Sequence, residues 1–190
     1  MELCAVARAG IHPPGEMPFA VPWSTVASPA FERSFIQHHW AARAEWTAAH
    51  WHLALAVFLD GRPIGAQSLM ARDFATLRTV QTGSWLGRPF QGLGYGTEMR
   101  EAVLTLAFDG LGAEVAETEA FLDNVRSAGV SRSLGYEANG RRRLAPEGIA
   151  REIQRYRLTV EAWRRLAHRP VAIDGLAGCR EMFGTTAPPG

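Results

Sequence analysis

The chain has 190 residues, 47% hydrophobic and 21% charged, the size and balance of one globular domain. Twenty basic residues face 19 acidic ones for a formal net charge of +1, which leaves no electrostatic footprint for nucleic acid or an anionic membrane surface. All 20 basic residues are arginine, so a pyridoxal-phosphate Schiff base, a lysine nucleophile and the phosphate-reaching lysine of a P-loop are excluded.

No apolar run approaches the roughly 18 residues of a membrane span. Met1-Glu2-Leu3-Cys4 lacks the basic stretch and apolar core of a signal peptide. Two cysteines, Cys4 and Cys179, stand near opposite ends, so a disulfide framework is not expected and a cytoplasmic home is.

In chain order, Leu3 to Ala9 reads as a short first strand, broken by Ile11-His12-Pro13-Pro14-Gly15. Ser28-Pro29 reads as N-cap and first residue of a helix whose aromatic face carries Phe31, Phe35, Trp40 and Trp46. That face is core, or a wall of a substrate pocket. His52–Leu59 and Ile64–Leu69 are apolar runs on either side of Asp60-Gly61, a strong hairpin signal. Thr79–Leu86 predicts another strand. Met99, Ala102, Val103, Leu106, Ala107 and Leu111 recur at helical spacing, with a stop near Gly110-Leu111-Gly112. Glu114–Thr118 predicts a strand. Asp123-Asn124 caps a short helix that stops at Gly135. Asn139-Gly140 sits in a hairpin-like stretch, Ile153–Val160 is a last strand, and Ala162–Leu166 a final helical turn. Past Pro170 the composition is that of a mobile tail. The reading is one domain over residues 1–168, a mixed α/β sheet flanked by helices, with a Gly/Pro/Ala-rich tail over 169–190.

Between the Thr79–Leu86 strand and the next helix lies Gln91-Gly92-Leu93-Gly94-Tyr95-Gly96. Alternating glycines let successive amide N–H groups point into one concavity, at the positive end of the helix opened by Thr97. A pyrophosphate is the natural occupant. An ordinary tight turn is the plainer alternative. The spacing is not the dinucleotide fingerprint, and no Gly-Lys-Ser/Thr follows.

Gly83-Ser84-Trp85-Leu86-Gly87, Arg88-Pro89-Phe90 and the glycines together resemble motif A of the GNAT superfamily of N-acetyltransferases. Its Gln/Arg-x-x-Gly-x-Gly/Ala pattern places Gln91, Gly94 and Gly96. Asp123-Asn124-Val125-Arg126-Ser127 and Leu134-Gly135-Tyr136 resemble the following motif, as in the ribosomal-protein N-terminal acetyltransferase branch. The resemblance runs from about Ala54 to Trp163. It implies a mostly antiparallel sheet splayed between its fourth and fifth strands, with acetyl-CoA or another acyl-CoA as donor. The pyrophosphate would lie on the amides of Gly92, Leu93, Gly94, Tyr95, Gly96 and Thr97, and the pantetheine arm on the main chain of Trp85 and Leu86. Asn124 would contact that arm, cap the helix, or do both. A small oxyanion site from main-chain N–H groups follows.

Acyl transfer to an amine needs a base and a donor for the leaving thiolate. By resemblance the donor is Ser127; Ser131 stands where many relatives have a tyrosine, and Tyr136 is read as core. Glu119, Asp73 or a histidine of the first helix is the candidate base. His38-His39 is a poor metal pair, since adjacent helical residues diverge. No ligand set with zinc spacing exists, so no metal is expected. Arg141-Arg142-Arg143 is a solvated hairpin face or an anchor for the 3′-phosphate of CoA. The acceptor, a peptide N-terminus or a small amine, belongs between Met17–Trp46 and the late hairpin. A homodimer fits the resemblance. A CoA-binding regulatory module with little catalysis is the alternative.

Overall fold

The computed structural model describes residues 2–185. Leu3–Ala9 is not a strand: Glu2–Arg8 forms helix α1. An acidic residue stands in its first turn and a basic one in its last, matching the helix dipole, and Leu3, Ala5 and Ala7 are strong helix formers. Cys4 and Ala7, three apart, are its buried residues. Helix α2 spans Ala30–Ala44 with Pro29 at the N-cap, one residue later than the sequence predicts. Ser28 does not cap it; the hydroxyl donates to Glu32 Oε1 at 2.8 Å and accepts from Arg8, tying α1 to α2.

Asp60-Gly61 makes the expected hairpin, both residues at positive φ, between β1 (His50–Leu59) and β2 (Arg62–Arg72). One helical turn, α3 (Phe74–Leu77), leads to β3 (Thr79–Leu86). Helix α4 (Tyr95–Thr105) runs on as a π-helical turn over Leu106–Gly110. Then come β4 (Val115–Phe121), α5 (Val125–Ser133), β5 (Glu137–Leu144), β6 (Arg151–Thr159) and α6 (Val160–Arg164). Asn139-Gly140 is a bulge inside β5, where the register with β6 shifts; the reversal itself falls at Pro146–Gly148.

The six strands form one sheet in the order β1-β2-β3-β4-β6-β5, antiparallel except for β3 and β4. With α1 in place of a first strand, the splay expected between strands four and five falls between β3 and β4. Those strands pair only from Thr79–Gln81 to Val115–Glu117. Side chains carry the last links: Thr82 Oγ1 donates to the Glu117 carbonyl (3.4 Å) and Thr118 Oγ1 to the Thr82 carbonyl (3.1 Å).

One face of the sheet packs Leu69, Val80, Ala116 and Leu158 on Val103, Leu104, Phe108 and Trp163. The other face carries α1 and α2, where Cys4, Ala7, Ile11 and Phe31 cluster with Phe19, Trp23, Phe35 and Trp85. The segment that composition predicts as mobile packs instead: a 3-10 helix over Leu176–Phe183 buries Leu176 and Phe183 in the main core. Arg180 donates to the Gly110 carbonyl at 2.6 Å, and Trp46 Nε1 to the Met182 carbonyl at 2.8 Å.

Candidate functional site

The glycine loop joins β3 to α4 at the open end of the splay. Gly92 and Gly94 hold φ values of +75° and +90°, which side-chain-bearing residues rarely adopt. A Cβ on either would meet open space, so these glycines serve backbone geometry rather than packing. The N–H groups of Gly92, Leu93, Gly94, Tyr95 and Gly96 have no hydrogen-bond partner among the described residues. The first N–H groups of a helix have no intrahelical acceptor, so an anion is their natural complement. Thr97 differs: its N–H already donates to the Gly94 carbonyl at 3.0 Å. Its residue lines a cavity of about 430 Å³ with Ser133, Leu134, His168 and Arg169, beside the first turn of α4.

Gln91 is a strut. Its side-chain amide donates to the carbonyls of Ile11 and Leu86, both at 2.8 Å, and its main-chain N–H to the Arg88 carbonyl. The side chain thereby shapes the loop and occupies the Leu86 carbonyl. Trp85 and Leu86 pair with Ala66 and Gly65 of β2, while their edge toward β4 carries no strand. Trp85 packs on Trp23 and Phe35, with ring centres 5.9 and 6.3 Å away. Phe31 and Phe35 are thus both core and a wall beside β3, whereas Trp40 is 64% exposed and Trp46 packs far off on Trp51 and Phe183.

Asn124 caps α5, its Oδ1 accepting the Ser127 N–H at 3.1 Å. The Ser127 hydroxyl, half-buried in the first turn, has no partner among the described residues. Ser131 is fully buried and donates to the Ser127 carbonyl. Glu119 is exposed on β4 with both oxygens held by Arg142, at 3.0 Å to Oε2 and 2.5 Å to Oε1. That contact raises the Arg142 guanidinium above its ordinary value. Asp73 follows β2 at the end opposite the glycine loop, since Gly65 pairs with Leu86 while the Met70 end pairs with Gln81. Arg141 contacts Gln154 and Glu152 on the neighbouring strand, so two of the three consecutive arginines of β5 have partners on the sheet.

Sequence reasoning missed three groups. Arg100 on α4 is buried, with Nη1 on Thr118 Oγ1 at 3.3 Å and Nη2 on Ser84 Oγ at 3.0 Å. Burial pushes its guanidinium down, opposed by the neighbouring Tyr136 hydroxyl. Tyr136 is buried as expected for core, but its hydroxyl sits in this polar knot, 3.5 Å from Thr82 Oγ1. Burial raises the phenol, and Arg100 opposes the rise. The signal for Arg100 was its place in the stripe Arg100, Leu104, Ala107 and Leu111, whose other members are apolar. His52 of β1 contacts Ser68 Oγ at 2.9 Å and lies 5.5 Å, ring to ring, from His38. Burial, then nearby histidines, lowers its pKa. Among the described residues no group of three His, Cys, Asp or Glu side chains is placed to hold a metal, and no helix is long and apolar enough to cross a membrane.

The fold resembles several solved acetyltransferases. A candidate acetyltransferase from T. thermophilus superposes with a TM-score of 0.68 at 23% identity, over 86% of this chain and 84% of that one. The ribosomal-protein alpha-N-acetyltransferase RimL, in complex with coenzyme A, gives 0.61 at 16% identity over 76% and 80%. A spermidine N-acetyltransferase from Vibrio cholerae gives 0.57 at 12% over 70% and 77%. A family profile described as "Acetyltransferase (GNAT) domain" matches residues 12–137, about two thirds of the sequence, and takes in the splay, the glycine loop and α5. The chain belongs to the GNAT acetyltransferase family.

Proposed function

We propose that the protein moves an acyl group, most simply acetyl, from acyl-CoA to a primary amine by direct attack in a ternary complex. The observation that carries this reading is the run of unbonded N–H groups from Gly92 to Gly96, beside a strand edge left open by the splay. A pyrophosphate satisfies the first and an extended pantetheine arm the second. Gln91 contributes by holding the loop, Thr97 by closing the first turn of α4.

The amine must shed a proton, because a free alkylamine has a pKa of about 10.4. Its lone pair then forms the N–C bond as the C–S bond breaks. The free Ser127 hydroxyl donates to the departing sulfur, and Asn124 keeps Nδ2 available for the pantetheine arm while Oδ1 caps α5. Glu119 is the carboxylate on the acceptor side of β4; serving as base requires Arg142 to yield one of its oxygens. No cysteine lies in the motif region, so a covalent acyl-enzyme is not part of the scheme. The acceptor, a peptide N-terminus or a small amine, sits between the Met17–Trp46 region and the β5–β6 hairpin. There Arg151 donates to the Met17 carbonyl at 2.6 Å and lies 3.7 Å above the Phe121 ring. We place the protein in the cytoplasm, working as a monomer or homodimer.

Calorimetry tests the reading. Acetyl-CoA or CoA binds the wild-type chain, and Gly94→Trp weakens binding at least tenfold by forcing a side chain onto positive φ at the anion site. No binding of any CoA thioester overturns it. Binding without CoA release across a panel of amines and N-terminal peptides favours the regulatory alternative.

A further inference from the structure

Arg100 is 3% exposed, and among the described residues no carboxylate pairs with it. Its Nε is buried without any hydrogen-bond partner among them. A guanidinium stays charged in proteins, and burying one without a counter-ion is costly. The acids on the neighbouring positions of α4 and β4 are paired with other groups. Glu101, the next residue of α4, holds Arg169 and faces His168, while on β4 Glu117 holds Arg155 and Glu119 holds Arg142. Among the described residues, Tyr136 is the one titratable group seen against the guanidinium.

The placement of this charge is specific. One arm of the fork reaches Ser84 on β3 and the other Thr118 on β4, just beyond the last main-chain pair of those strands. Arg100 therefore spans the apex of the gap and fixes how far the strands part. Thr118 gives its hydroxyl hydrogen to the Thr82 carbonyl, whereas the Ser84 hydroxyl donates to no partner among the described residues; a positive charge held behind it, with no anion of its own, is organised for an anion formed in the gap.

We propose that Arg100 is a positioning residue for acyl transfer, its charge delivered through the Ser84 hydroxyl to favour the thiolate released in the gap. This rests on the acyltransferase reading. The amine nitrogen bonds to the acyl carbon, the C–S bond breaks with its electron pair left on sulfur, and the surplus proton of the nitrogen leaves to the base. The charge on sulfur is what Arg100 favours.

The test is titration of the thiol of bound CoA by thiolate absorbance, with steady-state kinetics alongside. In the wild-type complex the thiol ionises about one pKa unit below its value in free CoA, a tenfold shift in its ionisation equilibrium. Arg100→Gln, which keeps one hydrogen bond but not the charge, returns the bound thiol to the free value and lowers kcat with KM for acyl-CoA little changed. Arg100→Lys restores part of the shift. A bound thiol that titrates alike in wild type and Arg100→Gln overturns the proposal. So does a wild-type complex whose thiol ionises at the free value, which decides the matter even if Arg100→Gln does not fold. Failure of the wild-type chain to bind CoA removes the acyltransferase reading itself, and this proposal with it.

Discussion

Asn124 and Ser127 show how a residue divides between fold and site. Asn124 Oδ1 accepts the Ser127 N–H, so Asn124→Ala costs the cap, about 1 kcal/mol of stability by denaturant titration. Asn124→Asp keeps the cap and discards the Nδ2 donor. Unchanged stability with weaker CoA binding is the expected outcome, and unchanged binding would remove Asn124 from the cofactor site. Ser127→Ala tests the donor role: turnover should fall roughly a hundredfold with CoA affinity nearly constant. Activity equal to wild type would leave Ser127 a helix-surface serine. Legibility at this scale was uneven. The glycines and Asn124 announced themselves because their chemistry is local. Arg100 and His52 did not, because their meaning depends on strands more than ten residues away meeting them in space.

Elements with strong local signals formed where the sequence placed them. The Asp60-Gly61 hairpin needs two positive φ values that these residues tolerate. Strand β3 has its expected bounds at Thr79 and Leu86. The Leu3–Ala9 run failed as a strand because a short apolar stretch has no decisive period, and its alanines prefer a helix. Asn139-Gly140 suits a hairpin turn and a bulge alike, and only pairing with β6 decides for the bulge. Composition also hid the last helix: glycine, alanine and proline are frequent past Pro170, but Leu176 and Phe183 find the core. Phe183 stands 5.0 Å from Trp51 and 5.2 Å from Trp46, ring to ring. Phe183→Ala should therefore cost about 3–5 kcal/mol in denaturant unfolding. A loss below about 1 kcal/mol would mean the segment is a loose appendage.

For the whole molecule, the histidines on the α2 face couple stability to pH. His39 and His52 are both lowered by burial first, then by neighbouring charges: His38 and Arg43 for the former, His38, His39 and His50 for the latter. The folded chain takes up these protons less readily than the unfolded chain. Stability is therefore fully present above the unfolded value of about 6.5 and is lost as pH falls from there through the folded values. The midpoint of thermal unfolding should drop between about pH 7 and 5, and drop less in His52→Gln; identical slopes would show that His52 titrates alike in both states. The sheet has a second global property. Just three ladder pairs, Thr79–Gln81 with Val115–Glu117, join its two three-stranded halves strand to strand, with the side chains of Thr82, Thr118 and Arg100 adding links beyond them. Most of that seam is unsewn, so a molecule lying along it becomes the missing stitch and makes two half-sheets mechanically continuous. Seam-facing amides of Ser84–Leu86 and Glu119–Phe121 should then exchange hydrogen more slowly once the ligand is in place, and the two halves should resist unfolding as one body rather than as two.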